Sequence, residues 1–454
     1  MSGSPACRER LSRIGGMLAV TLLALGSALG TASLAFERHT AHGGPVKGLA
    51  LSPDGRWMVS TSFDYSAVFW SADALTERRR LIGHEAAVNT AAFSPDGRFL
   101  VTAGDDATLL VWRVAQLLED AVEPKPTVLR GHTAKVVHLA FSPDGRMLAS
   151  SSWDNTIGLW SLPAFEQRAF LVGHEGPVQV ARFSRDGSSL YSAGSDGHVR
   201  LWDVREARHV RSVVENGWGI NVLAVDEDLD LLAYGSSNGA MRLRSVGGHG
   251  TTVDLLPEGP PVLSLSLDPK TGRLACGNAE GRLLVVDARS GAIEHDFRAT
   301  NGPVWTLLLM PEGKSVVFAG LDDFITRLPL ENAGPEIAAG SEERRFHPQG
   351  PLDNGARQFA RKCSVCHSLG ADDRRRAGPS LHGIFGRKAG ALADYPYSPA
   401  LTRVDLVWND QTIDALFREG PDIVTPGSKM PLQRIRNKRD RRDLIDFLKS
   451  NTTH

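Results

Sequence analysis

The sequence predicts an all-β propeller of seven blades followed by a smaller helical domain, and three observations carry that reading. A repeat of about 42 residues runs through residues 36–330. It ends in residues 331–351, a stretch of Gly, Pro, Glu and Arg without apolar periodicity that reads as a linker. Beyond it, residues 352–454 hold a Cys-x-x-Cys-His motif between segments with helical spacing of apolar residues. The 454 residues are about three times the usual ~150 per domain, so more than one folding unit is expected. Hydrophobic residues at 42% and charged residues at 23% exclude a disordered, collagen-like or polytopic membrane chain.

Four tryptophans set the period. Trp70, Trp112, Trp160 and Trp202 are separated by 42, 48 and 42 residues, the extra six falling in a loop at residues 116–126 rich in Glu, Asp and Pro. Further steps of 42 land on Arg244, Val286 and Leu328, each at the end of a β-like run. Six residues before these positions stand Asp64, Asp106, Asp154, Asp196, Asn238, Glu280 and Asp322. Pro-Asp-Gly-Arg recurs at residues 53–56, 95–98 and 143–146. In such a tight turn between strands Pro presets φ and Gly accepts a positive φ. Gly83-His84, Gly131-His132 and Gly173-His174 open three units, and His42 fits the same slot. A period of this length with four short strands per unit indicates a β-propeller. The recurring Asp can bind backbone N–H groups of its own turn, and the opening His can bridge it to a strand Ser or Thr. Residues 36–41 are in phase with the outer strand at residues 78–83. They are therefore expected to supply the outer strand of the last blade and close the ring, which removes open edges.

These markers, together with Leu201-Trp202-Asp203, resemble the WD-repeat family over residues 36–330. In the last three units His and Trp are missing, and the assignment rests on the period and the Asp position. The resemblance implies a rigid docking platform for a protein partner. No catalytic constellation stands out in it, and residues repeated in every blade have scaffold roles. The residues just before the recurring Asp are expected on the narrow top surface: Phe63, Asp105, Trp153, Ser195, Ser237, Ala279 and Leu321. Among them Phe63 and Trp153 are candidate exposed anchors, with packing between blades as the alternative.

At the N-terminus Arg8, Arg10 and Arg13 precede an uncharged run, residues 14–35, that ends in Ser33-Leu34-Ala35. A positive flank, an apolar stretch and a small-residue cleavage site form a secretory signal, residues 1–35. An uncleaved membrane anchor is the alternative, because the run is long enough to span ~30 Å. Either way the rest of the chain is expected in the periplasm, free or tethered to the inner membrane. Cysteine usage fits export without a disulfide framework: Cys7 lies in the signal and Cys276 alone in a strand, as a small buried hydrophobe.

Charge divides the chain. Residues 351–454 carry 18 Lys and Arg against 12 Asp and Glu, a surplus of six; residues 36–350 carry 30 against 39, a deficit of nine. A basic part this mixed with Asp does not call for nucleic acid, and a docking surface for an acidic protein partner is the better reading.

Cys363-Ser364-Val365-Cys366-His367 has the spacing that attaches a c-type haem: two thiols add across the vinyl groups and the His ligates iron. Zinc would want a second pair of ligands, and no other Cys is nearby. A thiol redox pair belongs in a βαβ pattern, which is absent. Met430 follows His367 by 63 residues, in Gly427-Ser428-Lys429-Met430-Pro431. It lies outside any helical stripe and is the candidate sixth ligand, a soft thioether that raises the potential. Residues 354–362 and 443–450 read as helices, the second with Leu444, Ile445, Phe447 and Leu448.

Residues 352–450 resemble class I cytochromes c of the mitochondrial and bacterial periplasmic type, an all-α fold. The resemblance rests on Cys363–His367, the run from Gly378-Pro379-Ser380 to Gly386-Arg387, Tyr395-Pro396-Tyr397, Trp408 and Lys429-Met430. It implies one covalent haem c, with His367 and Met430 as iron ligands and Cys363 and Cys366 as the attachment points. It implies that the Pro379 carbonyl holds the Nδ1–H of His367, and that Arg387, Tyr397 and Trp408 surround the propionates. It implies that the helix with Gly355 and Phe359 crosses the last helix near Phe447. Two departures bear on the potential: Leu416 stands where many relatives have a Tyr near the axial Met, and the loop before Met430 is one residue longer. The Lys ring of the mitochondrial protein is echoed in part by Arg375, Lys388, Lys429, Arg434, Arg436 and Lys438.

The expected function is that of an exported single-haem electron carrier on a protein-docking propeller, without substrate turnover. A dehydrogenase whose propeller oxidises a substrate, with a quinone cofactor, is one alternative. A haem-based redox sensor is another.

Overall fold

The structure is a computed structural model that describes residues 37–333 and 353–452, apart from 41, 122, 249–251, 372–375, 394, 396, 429 and 431–432. The signal or anchor at residues 1–35, most of the linker, Arg375 and Lys429 lie outside the described residues.

The repeats form seven four-stranded antiparallel sheets. Blade 1 comprises Val46–Leu51, Trp57–Ser62, Ser66–Ser71 and Thr76–Ile82. The ring closes through Glu37–Thr40, which pairs antiparallel with Phe324–Pro329 and becomes the outer strand of blade 7. The periodic tryptophans wedge between blades. Trp70 of blade 1 packs with Val317 and Ile325 of blade 7, and Trp160 of blade 3 with Val101 and Val111 of blade 2. Each wedge is fully buried, and an aromatic of this size contributes several kcal/mol of apolar burial, of the order of 3.

The expected polar bridges are present in blades 1–4. In blade 1 His42 Nδ1 meets Asp64 at 3.2 Å and its Nε2 meets Ser60 Oγ at 2.7 Å, while Trp70 Nε1 donates to the same hydroxyl at 2.8 Å. The set recurs with His84, Asp106, Thr102 and Trp112, then around His132, and again with His174. In each of these four bridges the buried imidazole nitrogens and the shared hydroxyl are paired, which is what allows them to sit inside a core. In the later blades, without His and Trp, a lone amide does the local work: Asn278 Oδ1 accepts from the amides of Glu280 and Arg282.

Each innermost strand has one register irregularity, at Lys47, Asn89, Val137, Gln179, Asn221, Leu263 and Trp305. A bulge re-aims a side chain, and all seven line the central channel. One expectation needs correction. The loop at residues 116–126 begins with the end of a short helix, α1 (Val114–Leu118), whose Val114 and Leu117 are buried three residues apart. Of the two readings of Phe63, packing between blades holds: its ring packs on Trp305, centroids 5.6 Å apart, with Lys47 Nζ over both rings. Trp153 is 43% exposed, with Lys135 Nζ 3.4 Å above its ring.

The C-terminal part holds α2 (Asn354–Lys362), α3 (Pro399–Arg403), α4 (Asp410–Glu419), α5 (Pro421–Val424) and α6 (Lys438–Asn451). Helix α6 starts five residues before its apolar pattern does, because Asn437 caps a first turn made of charged residues. Helices α2 and α6 cross where Phe359 and Phe447 stack at 5.5 Å. Gly355 permits the approach: a Cβ there would stand 2.6 Å from the Phe447 Cβ. Among the described residues no helix is long and apolar enough to cross a membrane.

Candidate cofactor site

The end of α2 creates the site. Asp353 caps its start, and Cys363 closes it with its amide N–H donating a hydrogen bond to the Phe359 carbonyl at 2.8 Å. The chain then turns tightly: the amides of Cys366 and His367 both donate to the Cys363 carbonyl, at 3.0 and 2.9 Å. Both thiols and the imidazole are thereby gathered on one wall of a crevice of about 1430 Å³, open mouth included. Pro379, Arg387, Tyr397, Trp408 and Met430 line the same crevice, so all eight candidate residues come together.

His367 is oriented from behind. Its Nδ1–H donates to the Pro379 carbonyl at 2.7 Å, which leaves the lone pair on Nε2. Burial lowers its pKa from the ordinary value, helped by the charges of Arg376 and Arg387 and opposed by the Pro379 bond. The ring is therefore neutral at physiological pH, as a metal ligand must be. Burial also pushes the Cys363 thiol up to about 12. Such a group is no thiolate at neutral pH, so it suits an uncharged thioether better than zinc or disulfide exchange.

The opposite side carries Met430 on the segment between α5 and α6. Ser428 N donates to Thr425 O at 3.0 Å, and the Ile435 amide donates to the Phe417 carbonyl of α4 at 2.8 Å. Arg441, 6% exposed on α6, pairs with Asp414 at 2.7 Å and donates to the Ile435 and Arg436 carbonyls at 2.8 and 3.0 Å. It thus clamps the segment that presents Met430, although sequence reading passed it over. Its signal was a charge at helical spacing from Leu444, Ile445 and Leu448. Arg387 has a structural duty besides lining the crevice: its guanidinium donates to the Ser380 and His382 carbonyls at 2.7 and 2.8 Å. Leu416 is buried in the crevice wall.

The crevice has a further wall that sequence reading missed. Phe63, Tyr65, Ala86, Ala87 and Asp105, from the top of blades 1 and 2, line it too. The Ala377 amide donates to the Gly43 carbonyl at 2.8 Å, directly joining the two domains. The repeat phase placed Phe63 and Asp105 on the top surface, but no local signal ties any of the five to this site, since their neighbours there lie some 300 positions away.

Comparison with known proteins agrees with this geometry. The cytochrome c family profile matches residues 352–452. Cytochrome c of Arabidopsis thaliana is 39% identical over 104 residues, which is 23% of this chain and 92% of that protein. The chain belongs to the cytochrome c family. Cytochrome c of Cochliobolus lunatus is likewise 39% identical over 104 residues, 23% of this chain and 95% of that protein. A cytochrome c homolog of Rickettsia felis is 44% identical over 98 residues, 22% of this chain and 55% of that protein. The WD domain, G-beta repeat profile matches residues 35–71, 75–113, 124–161 and 165–203. The cytochrome domain thus stands behind four repeats that the profile matches and three further blades, which the period had implied and the fold contains.

A cytochrome c domain implies a covalently bound haem c, and the residues present fit one. Two thiols lie on one wall, that of Cys363 uncharged at neutral pH, a neutral imidazole has its Nε2 lone pair available, a thioether lies on the crevice, and buried aromatic and aliphatic side chains surround them.

Proposed function

We propose that this protein is an exported, periplasmic electron carrier with a single haem c, in which the WD propeller is a protein-docking platform. The observation that carries the reading is the convergence of Cys363, Cys366, His367 and Met430 on one crevice. The bound haem supplies one-electron exchange. Cys363 and Cys366 would attach it through their thiols, and His367 and Met430 would supply an imidazole and a thioether to the iron, a pairing that suits electron transfer rather than substrate binding. Pro379 fixes the His367 tautomer, and Arg387, Tyr397 and Trp408 stand where the propionates would lie. Export is supported by Arg8, Arg10, Arg13 and the uncharged run before Ala35. That run either is cleaved or stays as an inner-membrane tether.

The redox partner we propose is a protein acidic at its docking site. Arg434, Arg436, Lys438 and Arg439 are exposed beside the segment that bears Met430, and the domain has a positive surplus. Such charges steer an acidic partner and raise its encounter rate. The acidic propeller would hold a second surface of the same assembly and raise its effective concentration. A pull-down from periplasm and membranes identifies the partner. Stopped-flow oxidation is then compared for wild type, Arg434→Glu and Arg436→Glu across a salt series. The expected result is slower transfer in both variants and a rate that falls as the Debye length shrinks from about 10 Å at 0.1 M to about 3 Å at 1 M. Rates indifferent to charge reversal and to salt would reject the acidic-partner reading.

A further inference from the structure

We propose that the propeller supplies part of the haem site: Tyr65, on the top of blade 1, covers the macrocycle edge beside Cys366 and screens it from solvent. This rests on reading the crevice as a haem c site.

Two rigid systems meet at this point. On the propeller side, Asp64 Oδ2 accepts from the Gly43 amide at 2.7 Å as part of the bridge to His42, and Tyr65 is the next residue of the same turn. On the cytochrome side, Ala377 precedes Gly378, against which His367 packs, and the Tyr395 hydroxyl donates to the Ala377 carbonyl. The bond from Ala377 N to Gly43 O ties one system to the other, and a Cβ on Gly44 would stand 3.2 Å from the Ala377 Cβ. Tyr65 is thereby held at the crevice together with Cys366. Burial raises its phenol above the ordinary value, with Tyr395 and Cys366 the nearest groups to add to the effect.

The backbone gives an independent argument. Tyr65 has φ +66°, in the left-handed region. The same step of the turns in blades 2 to 6 is taken by Ala107, Asn155, Gly197, Gly239 and Gly281, with φ between +61° and +94°. Glycine and asparagine adopt this region readily, whereas a bulky aromatic there pays about 1 kcal/mol or more. The one blade that places an aromatic at this position is blade 1, one of the two blades that line the crevice. Local turn chemistry does not account for it, and the crevice wall does.

The test uses the full-length, haem-loaded protein with Tyr65→Asn, Tyr65→Gly and Tyr65→Phe. Asn and Gly are the residues that other blades use at this step, so both are compatible with the turn. Measured are the second-order rate of reduction by ascorbate, the reduction potential, and the unfolding midpoint. Uncovering the edge admits water, which stabilises the oxidised haem, so the expected result for Asn and Gly is reduction at least threefold faster and a lower potential. Their unfolding midpoint is expected to stay level or rise, since strain is removed. Tyr65→Phe keeps the ring and should stay within twofold of wild type in rate. Wild-type rate and potential in both the Asn and the Gly variant would overturn the proposal. Haem staining of the denatured chains separates the two readings. A wild type without covalent haem refutes the carrier, whereas normal haem with unchanged rates refutes only the cover.

Discussion

The imidazole of His367 lies against the backbone of Gly378, so closely that a Cβ on that glycine would stand 2.7 Å from either ring nitrogen. The ring is thus fixed from two sides, by the Pro379 carbonyl at Nδ1 and by a glycine with no side chain to push it away. Gly378→Ala should displace the imidazole and weaken the Pro379 bond. Overpacking of this kind costs ~1–3 kcal/mol. A lower unfolding midpoint of the cytochrome domain and a changed low-spin haem spectrum are expected; a spectrum and midpoint equal to wild type would contradict the close approach.

Haem attachment is expected to depend on both thiols. In Cys363→Ser with Cys366→Ser, covalent haem should vanish from a denaturing gel, while the circular dichroism of the propeller persists. The propeller core is built from its own wedges and polar bridges, none of which includes either cysteine. A haem-staining band that survives in the double variant would disprove thioether attachment at these two positions.

The sixth ligand is expected to be Met430. Met430→Ala should lower the reduction potential and let carbon monoxide or cyanide bind, because a vacated axial position admits exogenous ligands. His382, on the loop held by Arg387, is the alternative donor. Unaltered potential and no uptake of either ligand would shift the assignment there.

Acid should weaken the first four blades at pH values at and below those where surface carboxylates protonate. Burial alone would raise the carboxyls of Asp64, Asp106, Asp154 and Asp196. The paired histidine, the turn hydroxyls and the backbone amides outweigh it and hold them below the usual carboxylate range, Asp106 at about 2. A folded value below the unfolded one, near 4, means that the stability is fully present above pH ~4 and is lost as pH falls through the folded value. Chemical denaturation between pH 5 and 2 should therefore show a steep fall. Asp106→Asn should flatten that fall while lowering stability at neutral pH. A variant with an unchanged acid slope would show that these carboxyls do not control it.

How much was legible in the sequence depends on whether a constraint is local or repeated. The WD-type turns, the His–Asp–Ser or Thr–Trp bridges and the ring closure at Glu37–Thr40 could be read because a period of 42 multiplies each signal across blades. The Cys-x-x-Cys-His run could be read because covalent attachment and ligation fix five adjacent residues. Three weak blades were legible only by phase, and the fold shows why they still form. Inner-strand bulges at Asn221, Leu263 and Trp305 continue the geometry where His and Trp are gone.

The sequence by itself determined the propeller, the haem-binding domain and the residues that meet in the crevice, because each leaves a pattern within a few tens of residues. Only the tertiary structure decided that Phe63 turns to Trp305, that Arg441 clamps the Met430 segment, and that Tyr65 walls the crevice beside Cys366. These are meetings of side chains from elements far apart in the chain. They depend on how one folded surface packs on another, and neither periodicity nor motif spacing encodes such a contact.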